Sequence, residues 1–424
     1  MYHIIVLLCA ILLGGSCSRQ VDESAMHCIN IEEAVENISE VMLSEYVSSL
    51  KYTPLETNDS VLLGTIDHQF TTNDSLMFFV SGHSQKCIHM YTHNGKYVRD
   101  IGAKGNGPGE YLAVRSMTVI PKINALFVEG GPKAIVYSLD DGKPISERWI
   151  TDFFDDSKNY IMKHKGRENM VYNMTIGNIN CHNGHIYATA GDNSELDQYF
   201  IKMEPDFSLD TIIPMRKTSL KIGSSSVICC HLYIYDNKVN IIHGREDTVY
   251  TWENESLKPR MLLSYGNIPS RTTMPTIKRT DPIFYPNTAH MHGVYAKLWY
   301  YGGSIFTETD KFAIGSVLLP ADIVKTKKVR QSKNRISEFI YDKKTRKTRI
   351  IKPNYELKFG AFTNDIDGGM PFWPTQHIGN KLYQFVDAVT FIEMSKKYNS
   401  PRMKEIAATL TEESNPVMIE ATLK

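Results

Sequence analysis

The chain has 424 residues, close to three times the ~150 of a common domain, and its 47 basic and 47 acidic side chains leave no net charge. Apolar residues make up 42% and charged residues 22%, which is ordinary globular usage and excludes wholesale disorder, a collagen-like repeat and a strongly basic nucleic-acid binder. Its one long apolar run sits at the extreme N-terminus, which excludes a polytopic helical membrane protein, and 23 Tyr, 17 Phe, 27 Gly and 18 Pro favour strands separated by many turns.

Ile4 to Leu13 is an apolar run of ten residues, about half of what a spanning helix needs and the length of a signal-peptide core. Gly14-Gly15-Ser16 ahead of Cys17 resembles the lipobox of bacterial lipoproteins, in which that Cys is acylated after cleavage; ordinary secretory cleavage is the alternative. The expected organisation is a lipoprotein signal peptide over 1–16, a polar tether and lead-in over 17–37, and one folded unit over 38–424. Ile29 to Tyr46 mixes acids with apolar residues and reads as a short helix or an irregular lead-in. Cys28, Cys87, Cys181, Cys229 and Cys230 remain after cleavage; their odd number and the lack of any Cys-x-x-Cys pair predict buried free thiols rather than a disulfide framework or a zinc site.

From residue 73 onward a short grammar repeats. Asn73-Asp74-Ser75 is a turn, Leu76 to Val80 a continuous apolar run suited to a buried strand, Cys87 to Tyr91 a second strand, Asn94-Gly95 a hairpin, and Tyr97 to Ile101 a third strand. Equivalent turns recur at 124, 183, 237, 302 and 379, a period drifting between 51 and 77 residues. A small sheet cannot bury both of its faces alone, and six copies solve that by packing radially around an axis; a pair of β-sandwiches or a solenoid is the competing arrangement. The expected fold is therefore all-β, a six-bladed β-propeller with four-stranded antiparallel blades. The strand near Val47 to Glu56 is expected to pair beside Pro416 to Leu423, so that N- and C-terminal strands close the ring and leave no free edge. Gly102, Gly105, Gly107 and Gly109 fall between two repeats, with no Gly-Lys-Ser/Thr and no helix pattern after them, so they read as a connector and not as a phosphate loop.

Tyr52-Thr53-Pro54-Leu55-Glu56-Thr57, the run from Asp100 to Tyr111 with its Gly-Asn-Gly-Pro-Gly-Glu-Tyr core, and Glu413 to Ile419 together resemble the six-bladed β-propeller lipoproteins of Bacteroides-type bacteria, from about Glu40 to the end. That family is similar in turn to NHL-repeat propellers. The resemblance implies the propeller fold and a lipid-anchored location, and it implies no particular reaction.

Several constellations could carry chemistry. His290-Met291-His292 places two imidazoles on one face if extended, and Asp365 and Asp367 sit in an Asn-Asp-x-Asp-Gly-Gly turn; together these four are the candidate metal ligands. Phe372 and Trp373 on a Pro-flanked loop, with Trp299 and Tyr301, are candidate aromatic platforms for ligand binding. Between Lys325 and Lys352 lie twelve Lys or Arg against Glu338 and Asp342, which reads as a charged, protected hairpin or as a surface for an anionic partner. No Gly-x-Ser-x-Gly is present, and no catalytic residue is assigned. The expected protein is an exported, lipid-anchored binding or scaffold module for a glycan, a peptide or an envelope protein. It needs no cofactor and no nucleic acid, meets the membrane only through Cys17, and sits at the outer membrane facing the periplasm or the cell surface. The alternative is a metal-dependent propeller hydrolase or lyase with one divalent cation in its central channel.

Overall fold

The strand Leu76–Ser81 shows why the chain forms a ring. Its side chains alternate, and both directions lead to apolar neighbours: Met77 and Phe79 pack against Tyr383 and Met418, while Phe78 and Val80 pack against Val119 and Leu126. A sheet buried on both faces needs a sheet on either side, which is the reason for the uninterrupted apolar runs in the sequence. The computed structural model describes residues 26–58, 61–64, 66–81, 87–150, 174–192, 198–215, 230–243, 248–268, 297–299, 306–320, 322–324 and 336–424.

These residues build six small sheets arranged as a six-bladed β-propeller. Blade I is Ile66–Thr72, Leu76–Ser81, Cys87–Thr92 and Tyr97–Ile101. Blade II is Ser116–Ile120, Ala125–Glu129, Lys133–Ser138 and Pro144–Trp149; blade III is Met174–His182, His185–Asp192, Gln198–Met203 and Leu209–Met215. Blade IV is Cys230–Tyr235, Lys238–His243, Thr248–Glu253 and Ser256–Ser264. Blade V has a broken inner strand, Lys297–Trp299 and Thr307–Glu308, followed by Phe312–Leu318, Ile336–Asp342 and Lys347–Ile351. Blade VI takes Gln376–Ile378, Lys381–Val386 and Val417–Leu423 from the C-terminal end, and its outermost strand from the N-terminal end. Among the described residues the buried apolar side chains fall into six clusters, one between each neighbouring pair of blades. Each fully buried Phe in them contributes about 2–3 kcal/mol, and truncating one to Ala costs about 3–5 kcal/mol.

The N-terminal residues form a strap around the rim. Strand β1 (His27–Asn30) adds in parallel to the outer strand of blade IV, from His27 beside Met261 to Asn30 beside Ser264. Helix α1 (Ile31–Glu36) follows, its first turn capped by the Asn30 side chain, with Ile31, Ala34 and Val35 buried against blades IV and V. Strand β2 (Ile38–Ser39) adds in parallel to the outer strand of blade V, and β3 (Val47–Pro54) completes blade VI antiparallel to Val417–Leu423. The expected ring closure is thus present, and the lead-in over 27–37 belongs to the folded rim.

Two helices add to the six blades, and the thiols depart from the expectation that they are buried. Blade VI carries helices α2 (Ala388–Lys397) and α3 (Pro401–Ala407) between its second and third strands, capped by Asp387 and Ser400, with Phe391, Met394 and Met403 turned into the core. Cys28 is exposed on the rim strand β1, while Cys87, at the start of the third strand of blade I, and Cys181, on the inner strand of blade III beside the cluster between blades II and III, are half-buried. Cys229 lies outside the described residues, as does the Cys230 side chain.

The glycine-rich stretch is a connector from blade I to blade II. Gly102 and Gly109 hold φ of +65° and +69°, and a Cβ on Gly109 would stand 2.5 Å from the Pro144 ring. The exposed backbone is taken up by fixed partners: Lys133 Nζ donates to Gly107 O at 2.8 Å, Gly109 N to Glu147 Oε2 at 2.7 Å, and the Tyr137 hydroxyl to Gly109 O at 2.8 Å.

Candidate functional site: the central channel

The innermost strand of each blade has a sheet partner on one side only, so its other edge faces the axis of the ring with backbone groups that need partners. Polar side chains from the neighbouring inner strands supply them. Ile179 N donates to Ser116 Oγ at 3.0 Å and Cys181 N to Thr118 Oγ1 at 3.1 Å, joining blades III and II. Asn180 Nδ2 donates to Leu232 O at 3.0 Å, joining blades III and IV, and Gln69 Nε2 to Arg115 O at 3.4 Å, joining blades I and II. The Tyr233 hydroxyl donates to Glu308 Oε2 at 2.8 Å between blades IV and V, and Thr307 Oγ1 bonds His377 Nδ1 between blades V and VI. The Ser, Thr, Asn and Gln residues of these strands therefore have a structural task before any other.

What stays open is a cavity of about 580 Å³, walled by residues 69–74, 115–119, 178–181, 231–234, 306–307 and 375–379. Its size lies within the ~300–1,000 Å³ of small-molecule sites, and all six blades contribute. Asn73, Asp74, Pro121 and Gly379 belong to its wall, so it lies at the end of the ring where the first strand of a blade turns into the second.

Among the described residues of the wall, Arg115 and Asp74 are the formally charged members, one of each sign. Burial lowers His231 to about 4 and His377 to about 4, so both imidazoles are neutral at pH 7. His377 Nε2 lies 2.9 Å from Gly379 O, which can only accept; Nε2 therefore carries the proton and Nδ1 accepts from Thr307. Behind the wall, Arg115 Nη1 is 3.7 Å from the carboxylate of Glu129, whose fully buried side chain is raised to about 8 by burial, an effect Arg115 opposes. Between blades IV and V, burial alone would raise Glu308, but Arg260 and Lys343 outweigh it and hold this carboxylate low; Lys343 Nζ is 2.6 Å away.

Inner strand Met174–His182 carries a bulge. Gly177 pairs Thr189 and Asn180 pairs Tyr187, so Asn178 and Ile179 together oppose one residue. Asn178 takes φ of +51° there, and among the described non-glycine residues it is the one that does so within a strand instead of at a turn or loop. Bulges of this kind bend a strand and re-aim a side chain, and Asn178 lines the cavity.

The candidates from sequence are placed elsewhere or fall outside the described residues. Phe372 and Trp373 are 1% and 6% exposed in the core between blades V and VI, where Trp373 stacks on Phe362, so neither ring offers a platform. Asp367 accepts from the Tyr52 hydroxyl, Asn364 Nδ2 and Gly369 N through one oxygen and from Ser400 Oγ through the other. Asp365 accepts from the Ser44 backbone and hydroxyl. Both acids fasten the α2–α3 region and the strap, and each of their carboxylate oxygens already accepts a hydrogen bond from within the fold. His290, His292 and Tyr301 lie outside the described residues, and of Trp299 only the strand backbone is described. Among the described residues no three His, Cys, Asp or Glu side chains converge. In the described half of the basic stretch Lys343 pairs with Glu308, and Arg349 and Lys352 pair with Glu45 and Glu40 of the strap, while Lys325 to Arg335 lie outside the described residues. The residues that do form the cavity were not singled out from sequence. Their only linear signal is alternating polar residues just before each repeat's first turn, as in Ser116 and Thr118 or Asn178 and Asn180.

The fold is shared with solved structures from Bacteroides. One, of a protein from Bacteroides fragilis described as exported, is 15% identical with a TM-score of 0.62, covering 94% of this chain and 99% of that one. A second, a member of the DUF4221 family from Bacteroides vulgatus, is 10% identical with a TM-score of 0.47, covering 89% of this chain and 97% of that one. No curated protein matches the sequence. Residues 26–422 match the family described as a domain of unknown function (DUF4934), and the chain belongs to that family.

Proposed function

We propose that this DUF4934 propeller is an exported, lipid-anchored binding module that holds its ligand at the channel end of the ring without transforming it. One observation carries the reading: all six blades converge on one cavity whose described wall, Arg115 and Asp74 apart, presents uncharged hydrogen-bonding groups, while behind it burial keeps Glu129 protonated and Arg260 and Lys343 hold Glu308. A general acid–base pair would need two titratable groups facing the same space with separated pKa values; here the two facing imidazoles are both lowered to about 4. Export and anchoring at Cys17 are supported by the ten-residue apolar run with its small residues before the Cys, and by the likeness to a Bacteroides protein described as exported. The ligand classes in view are a glycan, a peptide or an envelope protein, with no nucleic acid and no resident cofactor.

Two measurements test this. Metabolic labelling with an alkynyl fatty acid should mark the wild type and not Cys17→Ala; label retained on the variant would remove the anchor. The purified chain incubated with fractionated envelope glycans and peptides should retain a ligand recovered with unchanged mass. Release of cleaved products at a rate that depends on the protein would replace the binding module by an enzyme.

A further inference from the structure

We propose that the channel cavity takes an uncharged, polyhydroxylated ligand, the end of a neutral oligosaccharide, gripped by the amides of Gln69 and Asn178; this rests on the binding-module reading above.

Charge is the first argument. Among the described residues of the wall Arg115 and Asp74 are one charge of each sign, and the remaining polar groups are amides, hydroxyls, uncharged imidazoles and the Cys181 thiol. An anionic or cationic ligand would lose its hydration on entry without finding a set of counter-charges.

Backbone chemistry is the second. A peptide captured as an added strand needs a free strand edge. Around this channel, Ile179 N, Cys181 N, Arg115 O and Leu232 O are already taken by side chains of adjacent blades. Recognition is left to side chains.

The third argument is a pair of unusual side chains at one level of the channel. Gln69 uses its Nε2 on Arg115 O, while its Oε1 is buried with no hydrogen-bond partner among the described residues, a state that is unfavourable until a donor arrives. Asn178 is held at positive φ by the bulge, a conformation that few residues with a Cβ other than Asn and Asp adopt. Both flank the inner strand of blade II: Gln69 through Arg115, and Asn178 through its neighbour Ile179, which bonds Ser116. A side-chain amide presents a donor and an acceptor in one plane, the complement of two adjacent hydroxyls on a sugar ring, each of which can donate and accept.

The experiment is calorimetric titration of the purified chain with neutral tetrasaccharides of glucose, mannose, galactose and xylose, alongside tetragalacturonate and a tetra-alanine peptide. At least one neutral tetrasaccharide should bind, and Gln69→Leu and Asn178→Gly should each weaken it by about tenfold or more. Asn178→Gly keeps the positive-φ backbone without strain, so its melting temperature should not fall and the loss will report recognition. Neutral saccharide binding that survives both variants, or its absence from the whole panel, would overturn the proposal. Binding confined to tetragalacturonate or the peptide, and lost in the same variants, would overturn the sugar class while the binding module stands. Neutral saccharide bound and then cleaved would keep the sugar class and overturn the binding module.

Discussion

At the residue scale, ring closure depends on one side chain. Asn415 is buried and uses its amide completely: Nδ2 donates to Glu56 O at 2.6 Å and Val61 O at 3.0 Å, and Oδ1 accepts from Leu63 N at 2.7 Å. Its own N–H donates to Thr57 Oγ1 at 2.8 Å, and Leu55 N bonds Pro416 O at 3.0 Å. The Pro-Leu-Glu-Thr motif at 54–57 and the Ser-Asn-Pro-Val motif at 414–417 are therefore two halves of one latch, more than 350 residues apart in sequence. Asn415→Ala would leave Val61 O and Leu63 N without a partner and Glu56 O with the Tyr91 hydroxyl alone, each lost bond worth about 1–3 kcal/mol and not fully additive. Urea unfolding at pH 7 should show a loss of about 3–5 kcal/mol; a loss under about 1 kcal/mol would mean that the closure is carried by the strand ladder alone. Both motifs could be seen in the sequence and the expected closure put their strands side by side, but the Asn415 amide bonds that fasten them could not be read, because nothing local links those residues.

At the scale of elements, what could be read depended on burial. The middle strands of each blade, such as Leu76–Ser81 and Ala125–Glu129, are apolar on both faces and announce themselves. Helices α2 and α3 did not, although Asp387 and Ser400-Pro401 are ordinary N-terminal signals; the expected repeat of strands outweighed them. The cavity was illegible for a further reason. Its residues run from Gln69 to Gly379 on six short polar strands, and alternation alone does not say whether a polar side chain faces the axis or the solvent. The strap was legible only as a helix or lead-in, yet it covers the outer edges of blades IV and V and buries Ile29, Ile31, Ala34 and Val35. Removing residues 26–37 would expose those apolar contacts and the outer strand edge of blade IV, able to pair with another chain. The shortened protein should melt many degrees lower and self-associate in size-exclusion chromatography. A monomer with an unchanged melt would show that the strap is ornamental to the ring.

At the scale of the whole molecule, the buried titratable groups pull stability in opposite directions with pH. His231 and His377 are lowered to about 4 by burial, against ~6.5 in an unfolded chain. The unfolded state takes up protons first, so their contribution is complete above pH ~6.5 and is lost as pH falls towards 4. His27 and His182, also lowered chiefly by burial, act in the same sense. Glu129 is raised to about 8, so its contribution is complete below its unfolded pKa of ~4.3 and is lost as pH rises towards 8. Between pH 4.5 and 6.5 the two channel histidines outweigh the single carboxyl, and above 6.5 the carboxyl acts alone. These groups therefore set a maximum near pH 6.5, with a decline on the order of 2 kcal/mol by pH 8 from Glu129, at ~1.4 kcal/mol per pH unit. Glu129→Gln, which keeps the shape and cannot ionise, should abolish that alkaline decline and leave the acid limb intact. Urea unfolding across pH 4.5 to 8.5 on both proteins checks it, and a variant that still loses stability above pH 6.5 would show that this buried carboxyl is not what limits the ring in base.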